Sequence, residues 1–154
     1  LLEIGLSNGI DDGRIKSFLR KIEAKNKMSH DESHCLMNLA MAASYDPDTT
    51  VELGFRVPFH LDTGEIIMPR WDAWLKNDPI NLISQHQQSL KRLKLLFIDC
   101  GFRDQYQIHF GARQLSKQLS HFQVEHTYEE FDDTHSGIDY RLDESLPKLY
   151  KAIC

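Results

Sequence analysis

Leu95-Leu96-Phe97-Ile98 is a continuous apolar run, and the pattern that follows it leaves few folds open. A short run without alternation predicts a strand buried on both faces, the habit of parallel sheets. Ile108, Ala112, Leu115, Leu119 and Phe122 then recur at spacings of four and three, which predicts an amphipathic helix ending near His121. Gln123 to Glu129, with Val124 and Tyr128, reads as a second strand, and Leu142, Leu146, Leu149, Tyr150 and Ile153 mark a last helix. Asp143 and Glu144 suit the positive end of that helix, and Pro147 is tolerable if the helix begins about there. Strand-helix-strand-helix with a right-handed crossover predicts an α/β fold: a short parallel sheet flanked by helices.

The chain before this unit is punctuated differently. Ser29 followed by Glu32 fits a capping box, in which each side chain satisfies the other residue's open backbone N–H, so a helix is expected from about His30 to Ser44. Leu36, Leu39, Ala40 and Ala43 give it an apolar stripe, and Asp46-Pro47-Asp48 stops it. An earlier helix should cover Arg14 to Lys25, with Ile15, Phe18, Leu19 and Ile22 on one face. Between Val51 and Pro69 the prolines and the turn signal Asp62-Thr63-Gly64 predict an irregular excursion with a short hairpin. A short helix around Trp71 to Lys76 and another from Ile80 to Lys91, opened by Asn77-Asp78-Pro79, complete the region. The expected division is therefore residues 1–92, a helical and irregular insertion on the N-terminal side, and residues 93–154, the strand-helix-strand-helix unit.

Composition excludes several functions. A formal charge of -5 over 154 residues argues against a nucleic-acid surface, and the one basic cluster, Lys91-Arg92-Leu93-Lys94, reads as a solvated helix end. No run approaches the roughly 18 apolar residues that cross a bilayer, and no secretory signal opens the chain, so a soluble, cytoplasmic protein without a membrane partner is expected. Cys35, Cys100 and Cys154 are odd in number and far apart, which predicts reduced thiols rather than a zinc or redox pair. Leu1-Leu2-Glu3-Ile4, with no initiator Met, reads as the middle of a longer protein.

The chemistry sits after the two strands. In open parallel sheets, ligands bind beyond the carboxyl ends of the strands, and Asp104 and His135 both fall just past such ends. A histidine acting as base needs an acceptor on its other ring nitrogen, to fix the tautomer and to stabilise the imidazolium. Asp104 is the candidate acceptor; Asp99, Asp132 and Asp133 are its rivals.

Two stretches carry a family resemblance: Leu96-Phe97-Ile98-Asp99-Cys100-Gly101-Phe102-Arg103-Asp104-Gln105-Tyr106 and Glu129-Glu130-Phe131-Asp132-Asp133-Thr134-His135-Ser136-Gly137. An apolar strand, a glycine, then aspartate before an aromatic residue resembles the acid loop of the α/β-hydrolase esterases related to esterase D and the enterochelin esterases. The second stretch resembles their histidine loop. The likeness covers about Leu90 to Tyr150 and implies the C-terminal half of an α/β-hydrolase fold, with Asp104 as triad acid and His135 as triad base. It also implies a carboxylic ester hydrolase acting on a small-molecule ester, with no metal or organic cofactor. More weakly, Met41 to Pro47 and Phe55 to Pro69 resemble an insertion that certain bacterial esterases carry before the acid strand.

The family's nucleophile is a serine in a G-x-S-x-G elbow. Gly5-Leu6-Ser7-Asn8-Gly9 has those letters, but Asp11-Asp12-Gly13-Arg14 follows where an elbow helix opens with small apolar residues. The letters are read as coincidence, the nucleophile is expected further upstream, and this chain by itself is expected to be inactive. The competing reading is a non-catalytic binding or assembly module that keeps the half-fold. Under either, an uncovered sheet edge predicts homo-oligomers. His30 and His34 lie one helical turn apart without a metal motif, and Trp71 and Trp74 share a helix face that either joins a core or lines a pocket.

Overall fold

The computed structural model describes residues 13–154, so the Ser7 elbow and Leu1 to Ile4 lie outside the described residues. The chain divides into two compact units, with the boundary between Asn77 and Asp78.

In the N-terminal unit, α1 (Arg14–Glu23), α2 (His30–Tyr45) and α3 (Met68–Leu75) surround an irregular excursion. The capping box at the start of α2 forms in both directions: Ser29 Oγ accepts from Glu32 N at 3.2 Å, and Glu32 Oε2 accepts from Ser29 N at 2.9 Å. Lys25 Nζ reaches the same carboxylate at 2.5 Å and, with Ser29 N, holds it well below the usual range, at about 2. Ile15 and Phe18 of α1, Leu39 and Ala42 of α2, Phe55, Val57 and Trp74 form the core. Ala42 has no exposed surface, and a small residue there permits close approach of its neighbours. The expected hairpin exists as a bridge between Phe59 and Ile66, closed by His60 N to Glu65 O at 2.8 Å. Asp46 and Asp48 anchor the excursion by pairing with Arg70 and Arg56. Helix α3 begins three residues before Trp71 because Pro69 occupies its first turn, where a missing N–H is harmless.

In the C-terminal unit, α4 (Pro79–Leu90) leads to β1 (Phe97–Gly101), α5 (Ile108–His121), β2 (Thr127–Phe131), a single 3-10 turn (Asp139–Arg141) and α6 (Leu142–Ile153). Helix α4, which the sequence reading grouped with residues 1–92, packs in this unit: its Ile83 shares a core with Leu119 of α5 and Val124. The strands pair in parallel, Phe97 opposite Thr127 through Gly101 opposite Phe131. Alternation then separates the faces. Ile98 packs toward α4 and α5, whereas Asp99 and Glu129 point to the other face, where both pair with Arg141. Lys148 of α6 joins that face by pairing with Glu129 and lying 4.1 Å from the Phe97 ring centroid.

Three expectations need correction. Strand β1 begins two residues later than the apolar run and is half-buried through Asp99, not buried on both faces, because the face away from α4 and α5 meets the charged side chains Arg141 and Lys148. Strand β2 is likewise displaced toward Phe131. Pro147 lies inside α6, which starts at Leu142; the carbonyl left without a helical donor belongs to exposed Asp143, where solvent can serve it.

Candidate active site

Asp104 and His135 are brought together. The acid loop leaves β1 through a tight turn, Asp104 N donating to Gly101 O at 3.2 Å, and Asp104 becomes 3% exposed. Its Oδ1 accepts from Tyr106 N at 2.7 Å, an Asx turn that fixes the carboxylate plane. Its Oδ2 lies 2.9 Å from His135 Nδ1. Burial pushes the Asp104 carboxyl up, but the bonds from His135 and from the Tyr106 and Ile108 backbone outweigh it, and the group stays below the usual carboxylate range. An ionised carboxylate cannot donate, so Nδ1 must carry a proton, and in the neutral ring that leaves the lone pair on Nε2. Nε2 makes no hydrogen bond among the described residues, and the His135 side chain is 46% exposed.

The histidine loop is zipped to the acid loop. Phe102 N donates to Phe131 O and Arg103 N to Asp133 O, both at 3.0 Å. Gly101 sits under this contact: a Cβ there would lie 2.4 Å from Asp133 O and 2.6 Å from Thr134 O, too close for any side chain. The resemblance named this glycine; the structure gives its physical reason.

The rival acids are engaged elsewhere. Asp99 accepts from Arg141 Nε at 2.9 Å, Asp132 pairs with Arg103 at 2.6 Å, and Asp133 caps Thr134 N at 2.7 Å while accepting from the Tyr140 hydroxyl. Each therefore has its own partner, and Asp104 is the carboxylate that bonds the His135 ring among the described residues.

Other sequence candidates resolve differently. Trp74 is buried in the N-terminal core, 5.9 Å from Trp71 and edge-on to Tyr45, so the pair packs as core aromatics. His30 and His34 meet edge to face at 4.1 Å, and among the described residues no group of three His, Cys, Asp or Glu is placed to hold a metal ion. The three cysteines are free thiols.

Sequence reasoning did not foresee two contacts. Gln105 Oε1 accepts from His135 N at 3.1 Å, and the Tyr106 ring meets the imidazole edge-on at 4.9 Å. For Gln105 the only signal was adjacency to Asp104; Tyr106 was the aromatic residue of the acid-loop pattern, with no role read for it. A second serine-histidine contact, Ser116 Oγ to His126 Nε2 at 2.8 Å, was also unforeseen; its Nδ1 goes to Val124 O, so no carboxylate stands behind it.

A cavity of about 470 Å³ lies between α4, β1 and α5, lined by Ile80, Ile98, Cys100, Ile108, Ala112 and Leu115. No protein-family model matches the chain, and no curated protein is significantly similar to it. Among the described residues no helix is long and apolar enough to cross a membrane.

Proposed function

We propose that Asp104 and His135 are the acid and base of a serine-type carboxylic ester hydrolase, and that this chain contributes the C-terminal half of its α/β-hydrolase fold. The observation that carries the reading is the 2.9 Å bond from His135 Nδ1 to a buried carboxylate, made at neighbouring ends of two parallel strands with Nε2 facing outward. A loop histidine needs no buried acid to be stable in water. A general base does.

In the proposed reaction a serine hydroxyl supplied from upstream of this chain attacks the ester carbonyl and gives its proton to Nε2. Asp104 stays ionised and stabilises the imidazolium. His135 then returns the proton to the departing alkoxide, leaving an acyl-serine. Water repeats the sequence with His135 as base, releasing the carboxylic acid. No step calls for a metal or organic cofactor. The apolar lining beside β1 is compatible with the acyl or alcohol part of a small ester. The free thiols support a reducing, cytoplasmic setting.

Hydrolysis of a short-acyl p-nitrophenyl ester tests the reading in three proteins: this chain, a version extended upstream, and the extended version with His135→Ala. Activity confined to the extended wild type is expected. Activity of the short chain that disappears on Ser7→Ala would restore the elbow, and an inert extended protein would remove the esterase reading.

One observation favours an assembly role as the second reading. Among the described residues the sheet has two strands, and Leu142, Leu146, Leu149, Tyr150 and Ile153 of α6 are all exposed. Pairing with a second copy would cover such surfaces. Analytical ultracentrifugation should show concentration-dependent association; a monomer at all concentrations would count against it.

A further inference from the structure

We infer that Gln105 is a positioning residue for the His135 base, an inference that rests on the esterase reading for its purpose but not for its test. Two consecutive residues grip the histidine at opposite ends. Asp104 Oδ2 accepts the ring N–H at 2.9 Å, and Gln105 Oε1 accepts the main-chain N–H at 3.1 Å from 30 residues away. The Asx turn from Asp104 Oδ1 to Tyr106 N constrains the backbone of Gln105 between them, and the Tyr106 ring stands at 87° to the imidazole.

The physical need follows from where His135 sits. It is exposed, in a loop that continues through Gly137 at a φ of 73°, so packing does little to hold it. A single bond to the ring fixes one distance and leaves the side-chain torsions to follow any drift of the loop. A second bond at the main-chain nitrogen fixes the origin of those torsions. Catalysis by a base is sensitive to displacements of about 1 Å, so the second anchor bears on function far more than on stability. Water can serve an exposed N–H nearly as well as Gln105 does, so the bond contributes little to folding. Gln105 touches no reacting atom and is not a catalytic residue. Its task is to keep Nδ1 on Asp104.

The tautomer of His135 reads that task directly. In the ¹⁵N-labelled 154-residue chain, at a pH where the ring is neutral, long-range ¹H–¹⁵N correlations should show His135 mainly protonated at Nδ1. Gln105→Met keeps the side chain's length and removes its acceptor. It should lower the Nδ1–H to Nε2–H ratio of His135 at least about threefold, with water as the competing partner. It should also speed exchange of the His135 amide about tenfold. Gln105→Glu keeps an acceptor and should restore both. His126, whose Nδ1 proton goes to Val124 O at 2.9 Å, is the internal control and should not change. An unchanged His135 in the Met variant, a Glu variant that behaves like Met, or a His126 that moves together with His135 would each overturn the assignment. Because the readout involves no substrate, an inert extended enzyme would remove the esterase reading and leave this result standing; an unmoved tautomer would do the reverse.

Discussion

The two units differ in how many of their large apolar side chains they bury. The N-terminal unit closes Phe18, Phe55 and Trp74 into a core, each less than a tenth exposed, although much of its chain is irregular. The C-terminal unit has the regular strands and helices, yet α6 turns Leu142, Leu146 and Ile153 outward, the last 65% exposed. Charge follows the same division. In the N-terminal unit Asp46, Asp48, Arg56 and Arg70 staple a loop, whereas in the C-terminal unit Asp99 and Glu129 stand on the sheet and pair with Arg141 and Lys148 beyond it. Regular secondary structure and a closed core are thus separate properties. The irregular unit has the larger closed core, and the regular one, whose core centres on Ile83, Leu119 and Val124, has the candidate site.

That contrast can be broken by substitution. The largest effect is expected from Phe18→Ala, which empties a buried site and should destabilise the N-terminal unit by about 3–5 kcal/mol. Both tryptophans of the chain, Trp71 and Trp74, lie in that unit, so the midpoint of urea unfolding followed by their fluorescence reports it alone. Gly101→Ala should come next, at about 1–3 kcal/mol, because its new methyl must displace the Asp133 and Thr134 carbonyls. Amide exchange should quicken through residues 131–137 while the tryptophan signal holds. A uniform response of both reporters would show that the units do not behave separately.

A smaller effect, about 1 kcal/mol, is expected for Ser29→Ala, which removes one direction of the capping box. The associated acid dependence has a definite sign. Glu32, paired with Lys25, and Asp48, bonded to Thr50, Arg70 and Arg56, are both held at about 2 in the folded chain. Their contribution is complete above the ordinary carboxylate range and is lost as pH falls from there toward 2. The tryptophan signal should therefore hold through pH 4 and fall below it, and a midpoint above that range would contradict the pairing. Leu146→Ala should change least, within about 0.5 kcal/mol in the monomer, since its side chain is already exposed. A markedly larger loss at high protein concentration than at low would reveal a partner on that face.

Much of this was legible because the signals are local. The capping box, the Asp46-Pro47-Asp48 stop and the spacing of α5 all concern residues within a few positions of one another, and those helices lie where the spacing puts them. The strands were placed early because their carboxyl halves contain Asp99, Glu129 and Glu130, which hydropathy reads as the end of a strand. Their partners are Arg141, 42 residues beyond Asp99, Lys148, 19 beyond Glu129, and Arg113, 17 before Glu130. A charge is admissible in a strand once its counter-charge arrives, and no window of sequence shows that arrival. For the same reason Asp104 could be suspected from residue type and position, but its rivals could not be dismissed until Arg141, Arg103 and Tyr140 were seen to occupy them.

The close contact over Gly101 also sets an order of events in synthesis. Asp104 leaves the ribosome 31 residues before His135, an interval of roughly 2 to 6 seconds at typical elongation rates of about 5–20 residues per second. Through that interval the acid loop has nothing to close against, while α5, built from local contacts, can already form. The Asp104–His135 pair is therefore among the later parts of the unit to appear, and a nascent chain stalled within residues 122–134 would hold α5 but no partner for Asp104.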